Sequence, residues 1–230
     1  MESTIGGTAA ETPRPPVVGM AAAGLAIAGM AAVSWTVWPD LAEMVHGGRY
    51  NLDGSPNMVP RWLLAGAIPF TTALIAVILS AAPALSARIQ EVLDPPVRRT
   101  ARSTTRAMNA VLVLLSLFML AVHAIMVFNG AGRDIPTTKL AGAAVGVLLV
   151  GLALVVPMVE TAGDRNSALS RWWADTRWPT AAGMAAVGVV QTAVALLVDN
   201  GLLVAMVPLL LLPAMVLGAV SPLLKRRRRD

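Results

Sequence analysis

Six runs of apolar residues, each long enough to cross a lipid bilayer, constrain this chain more than any other feature. A helix needs about 20 mostly apolar residues to traverse a hydrocarbon layer of about 30 Å. The runs cover residues 17–38, 62–86, 107–129, 138–159, 179–198 and 202–222. Composition says what must surround them. Of 230 residues, 56% are hydrophobic and 13% charged, against roughly 45–50% and 25% in soluble domains. Aromatic residues make up only 4%, so the apolar surface is Ala, Val, Leu and Met, which suits helices better than the aromatic girdles of a barrel. The expected fold class is an all-α integral membrane protein, a bundle of about six transmembrane helices in a cell membrane.

Proline positions refine the spans. Pro16, Pro179 and Pro136 fall at or near helix starts, where a missing N–H is harmless. Pro69, Pro83, Pro157 and Pro213 fall inside spans and predict local kinks. Only Asp199, Asn200 and Gly201 separate the last two runs, which predicts a tight hairpin. The chain then divides into a Pro/Thr/Gly tail at 1–16, a two-helix unit at 17–86 with a structured loop at 39–61, a basic loop at 87–106, a four-helix unit at 107–222 and a basic tail at 223–230.

Lysine and arginine orient the bundle. Fourteen of the 18 lie on one side: Arg14, five in the 87–106 loop, three in the 160–178 loop, and Lys225 with the four arginines after it. Arg49, Arg61, Arg133 and Lys139 lie on the other. The rich side is expected to be cytoplasmic, and an even number of spans then places both termini there. Trp35, Trp38 and Trp62 flank the first outer loop, and Trp172, Trp173 and Trp178 flank the second inner one, as anchors at headgroup level. Gly142 and Gly146 form a GxxxG pair suited to close helix approach.

The chemistry open to the chain is narrow. It has no cysteine, which excludes thiolate nucleophiles, disulfides and cysteine-based metal sites. The net charge of +5 sits in blocks beside apolar runs. It therefore reads as topology and lipid-binding charge, with no nucleic-acid partner expected. The loop at 38–62 is the richest in polar groups: Asp40, Glu43, His46, Arg49, Tyr50, Asn51, Asp53 and Asn57 among Gly and Pro. Asp53-Gly54-Ser55-Pro56-Asn57 is turn chemistry. One histidine makes a poor metal site, so the expectation is a hydrogen-bonded cap with no metal, cofactor or catalytic residue. Within the spans, Asn109, His123 and Gln191 are polar. His123 is expected either to bond across helices or, with His46, to form a pH-sensitive site. Candidate ligand-binding residues are thus Asp40, His46, Asp53, Asn57 and His123. Candidate partner or lipid contacts are Arg98, Arg99, Arg102, Arg177 and Arg226.

The same loop resembles the signature of the SdpI-like family of bacterial membrane proteins. Pro39-Asp40, His46 and Gly54-Ser55-Pro56-Asn57 stand where the family carries P-D, H and G-x-[PA]-[DN], between spans one and two. Trp173-Ala174-Asp175-Thr176-Arg177 is similar to a second family stretch, with Arg177 where histidine is usual. The resemblance implies a non-enzymatic protein of the bacterial inner membrane. It implies immunity to a secreted peptide toxin, and signal transduction through a cytoplasmic regulator held at the membrane. A small transporter or permease-type subunit is the alternative.

Overall fold

The structure, a computed structural model, describes residues 15–50, 53–93, 98–99, 101–159, 161–162 and 168–227. Within these, six segments are long and apolar enough to span a membrane: Val17–Asp40, Arg61–Ala82, Arg102–Gly130, Thr137–Met158, Ser170–Leu197 and Gly201–Val220. The protein is therefore an all-helical, multi-pass membrane bundle. The helices are α1 (Val17–Val37), α2 (Arg61–Leu93), α3 (Ala101–Gly130), α4 (Thr137–Val155), α5 (Ala168–Leu197), α6 (Gly201–Met206) and α7 (Leu211–Arg227). Between α1 and α2 stands a β-hairpin of β1 (Met44–Tyr50) and β2 (Pro56–Pro60). On the opposite face, β3 (Arg98–Arg99) pairs with β4 (Thr161–Ala162), so the two arginine-bearing loops are joined. The hairpin side and the basic side are the two ends of the bundle.

Several boundaries differ from the sequence expectation. α5 begins at Ala168, so Pro179 sits inside the helix and not at its start. Its absent N–H leaves the Asp175 carbonyl one turn back without a helical donor, near the basic end where water can reach it. Hydropathy reports only the apolar part of a helix, and α5 continues past it. In the same way α2 runs on to Leu93 and α3 begins at Ala101, shortening the basic loop. Pro157 does not kink α4. It belongs to a 3₁₀ turn, Val156–Met158, that ends the helix. The sixth span is broken by a second 3₁₀ turn, Val207–Leu210, containing Pro208. Pro213 falls in the first turn of α7, where it costs little. Asn51, positions 160 and 163–167 of the second basic loop, and the tail at 1–14 lie outside the described residues.

In lipid, apolar burial does not drive helices together, because acyl chains are as apolar as leucine; close packing and hydrogen bonds must do it. The α4–α5 pair shows how. Gly146 faces Gly188 and Thr192, and a Cβ on Gly188 would lie 2.7 Å from the Gly146 carbonyl oxygen and 2.9 Å from the Val150 nitrogen. Gly142 faces Ala195 and Val204, and its carbonyl accepts a hydrogen bond from Gln191 Nε2 at 3.3 Å. The GxxxG pair thus sits where backbones touch.

α1 packs chiefly on α3. At the basic end, Asn109 Oδ1 accepts from the Gly19 N–H at 2.8 Å, satisfying one of the donors that the first turn of α1 leaves open. Pro16 gives α1 no side-chain cap, so the cap comes from another helix. Gly19 has to be glycine, because a Cβ there would meet Leu112 Cβ at 2.6 Å. Near the other end, His123 Nε2 lies 2.8 Å from Ser34 Oγ and 3.1 Å from the Met30 carbonyl. α1 and α3 are clamped at two levels. At the loops, Lys139 pairs with Asp199 at 2.7 Å and Arg133 with Asp40 at 3.9 Å. These pairs are largely exposed and worth about 0–1 kcal/mol each.

The α4–α5 contact makes a direct prediction. Gly188→Leu should lower the melting temperature in detergent, because overpacking costs about 1–3 kcal/mol. Gly24, with nothing within 4 Å of its Cβ position, should accept alanine without loss. Thermal unfolding of both variants checks this, and equal tolerance would contradict the packing.

Candidate functional site

The hairpin is the most organised structure outside the spans, and local chemistry explains its form. The Asp53 carboxylate accepts hydrogen bonds from the Ser55 N–H at 2.9 Å and the Ser55 hydroxyl at 2.7 Å. Gly54 takes φ +80°, which an L side chain resists. Together they make the turn. Val45 pairs with Val59 and His46 with Met58, and the register then shifts before Tyr50 pairs with Pro56. Residues 47–49 thus stand against Asn57 alone, an irregularity that interrupts the ladder. Gly47 fits because a Cβ there would sit 3.2 Å from the Asn57 carbonyl oxygen and 3.1 Å from Val59.

The hairpin is fastened to the bundle. Val45 from β1 and Leu41 before it join Val37 of α1, Leu64 of α2 and Val127 of α3 in a buried apolar cluster. Val59, Phe128 and Ala131 pack around it. Gly130, the last residue of α3, permits the approach: a Cβ there would lie 2.8 Å from Leu64 and 3.0 Å from Val45. Arg61 closes the base of the hairpin. Its N–H donates to the Glu43 carbonyl at 3.0 Å, its guanidinium donates to the Leu41 carbonyl at 3.4 Å, and it stacks 4.8 Å over Trp38. A cation over an indole adds about 0.5–1 kcal/mol at such exposed sites.

Of the candidate ligand residues, four lie on this cap. Asp40 ends a 3₁₀ turn and pairs with Arg133. His46 is exposed on β1, Asp53 is exposed in the turn, and Asn57 is half-buried on β2. His123 is not part of it. It is fully buried between α1 and α3, about 10 Å below the end of α3 at 1.5 Å per residue. The two histidines therefore do not form one pH-sensitive site. Because the Met30 carbonyl can only accept, its contact requires the proton on His123 Nε2. Nδ1 then presents a lone pair to a buried site with no partner. Among the described residues no three His, Asp or Glu side chains come close enough to hold a metal.

The arginine candidates cluster at the basic end. Arg102 is exposed in the first turn of α3. Arg177 is half-buried on α5 and donates to the Pro157 carbonyl at 3.4 Å. Trp173 and Trp172 donate to the Val159 and Ala219 carbonyls at 3.0 and 3.3 Å, so these anchors also serve as donors near the ends of α4 and α7. The side chains of Arg98, Arg99 and Arg226 lie outside the described residues. Sequence reasoning missed the Asn109–Gly19 and His123–Ser34 pairings. Polar residues inside apolar runs were the available signal, but their partners lie some 90 positions away.

The turn yields a pH prediction. The Ser55 hydroxyl and then its N–H hold the Asp53 carboxyl below its usual value of 3.8. A lowered folded-state pKa means this contribution is present above the ordinary carboxylate value and is lost as pH falls through the lowered one. Protection of the Ser55 amide from hydrogen exchange, corrected for intrinsic rate, should hold constant from neutral pH to about 4 and fall below that. In Asp53→Asn, whose amide oxygen can accept the same bonds, the acid step should vanish. An unchanged step would place its origin elsewhere.

No protein-family model, no curated protein and no solved structure matches this chain.

Proposed function

We propose that this chain is a non-enzymatic receptor of the bacterial cell membrane, SdpI-like in its first loop. In this reading it confers immunity to a membrane-active peptide or relays that peptide's presence to a cytoplasmic partner. The hairpin faces outward and both termini lie in the cytoplasm, in keeping with the fourteen-to-four division of Lys and Arg. One observation carries the reading: the apolar cluster ties Val45 of the hairpin to Val37, Leu64 and Val127 on three spans. A ligand that grips the exposed face around His46 and Asp53 cannot shift the hairpin without moving α1 and α3. Those helices are clamped again at Asn109–Gly19, next to the arginines that would hold an acidic partner. A displacement outside is thereby offered to the inside through packed elements.

The transporter alternative draws support from the broken sixth span, Gly201–Met206 and Leu211–Arg227 around a 3₁₀ turn. Beside it, buried Gln191 leaves Oε1 without a partner. Interrupted helices with polar groups at depth mark transport sites.

Expression in a susceptible host, challenged with membrane-active peptides secreted by related bacteria, separates the two. Immunity predicts a raised lethal dose. His46→Ala should lower protection about tenfold at equal membrane levels, the equivalent of about 1.4 kcal/mol of binding. Gln191→Ala should leave it intact. Absence of protection by the full chain at verified membrane levels, together with Gln191-dependent solute uptake, would favour the transporter.

A further inference from the structure

A groove on the side of the bundle is apolar along its length and has Arg106 at its basic end. At its basic end lies a cavity of about 450 Å³ with Arg106 at the rim and Asn109, Ala110 and Val113 beside it. A second cavity of about 510 Å³ continues toward Val147 and Val189. The two share Leu114, Gly151 and Leu154, so they form one trough along α4. Leu154 is 65% exposed, so the trough opens sideways into the bilayer.

Thr192 at the far end gives its hydroxyl to the Gly188 carbonyl, so charge lies at the basic end only. Asn109 has its Oδ1 committed to the Gly19 N–H, which leaves Arg106 as the charge at the mouth. Arg102 stands one helical turn away on α3. Both are exposed, and neither has an ion-pair partner among the described residues. Arg177 adds a third guanidinium nearby, bonded to the carbonyl of Pro157, the neighbour of groove-lining Met158. Length fits as well. From Val155 to Val147 the trough follows α4 for about 12 Å at 1.5 Å per residue, within the roughly 15 Å of one leaflet of hydrocarbon. A cation at headgroup level over an apolar trough one leaflet deep complements a molecule with an anion at one end and a hydrocarbon chain at the other.

We propose that this α3–α4 groove binds one anionic phospholipid, its phosphate against Arg106 and Arg102 and one acyl chain along Val113, Leu114, Gly151 and Leu154. The site is separate from the hairpin and does not depend on what the hairpin recognises. Its occupant would bridge α3 and α4, which meet here across Gly151 and Leu114. It would thereby support the joint between the α1–α3 clamp and the α4–α5 pair.

The test is native mass spectrometry of the full chain released from nanodiscs containing equal phosphatidylglycerol and phosphatidylcholine. The wild type should retain one phosphatidylglycerol. Arg102→Gln/Arg106→Gln should reduce that species at least tenfold without raising bound phosphatidylcholine. Ala110→Phe, which fills the trough and keeps the charge, should reduce it comparably. Neutralising Lys225 and Arg226–Arg229 to Gln should leave it in place, and excess inorganic phosphate should not displace it. Melting temperatures in zwitterionic detergent, matching the wild type, confirm that each variant is folded. Lipid retention by the folded double arginine variant would overturn the site. So would loss only on tail neutralisation, or displacement by free phosphate.

Discussion

A bilayer offers neither water to satisfy a stray backbone group nor a hydrophobic force to press one helix against another. Both consequences are visible in this protein. Every crossing is helical, so backbone groups are satisfied within each span apart from the ends and breaks. Between spans, cohesion comes from places where side chains are nearly absent or polar. Gly146 and Gly188 let α4 and α5 touch, and Gly19 lets α1 reach α3. Asn109 and His123 then bond across that α1–α3 seam. Interhelical hydrogen bonds in membranes average about 0.6 kcal/mol, so no single one holds the bundle. Two of them on one pair of helices fix its rotation and depth.

The hairpin inherits its position from that arrangement. A two-stranded ribbon alone is marginal in water. Here it is seated on the ends of three helices through Val37, Leu41, Val45, Leu64 and Val127, a small core formed where the bundle leaves the lipid. Gly130 and Arg61 belong to the same solution, one by vanishing and the other by bridging Glu43, Leu41 and Trp38. The consequence is a cap mechanically continuous with α1 and α3, which the proposed receptor role would need, and one whose exposed face carries His46 and Asp53.

How much of this was legible in the sequence follows from the range of the interactions. The spans were legible because hydropathy is a local property, and so was the turn, because Asp53, Gly54 and Ser55 are neighbours. The inner extension of α5 was hidden by Pro179, which reads as a start signal but sits where an unpaired Asp175 carbonyl can turn to water. The strands of the hairpin were hidden by their brevity and by Gly47 and Gly48. Most of all, helix rotation was not legible: nothing near Asn109 or His123 names Gly19 or Ser34 as partner. For the same reason His46 and His123 were open to being grouped, and the bundle separates them.

In the proposed topology an outward hairpin rides on a bundle whose basic face is cytoplasmic. The chain contains no cysteine, so single cysteines can be introduced without a background to remove. Glu43 and Asp175 are both exposed, at opposite ends of the bundle. In intact cells a membrane-impermeant maleimide should label Glu43→Cys and spare Asp175→Cys until the membrane is permeabilised. Labelling of Asp175→Cys in intact cells with Glu43→Cys protected would invert the protein and contradict the account.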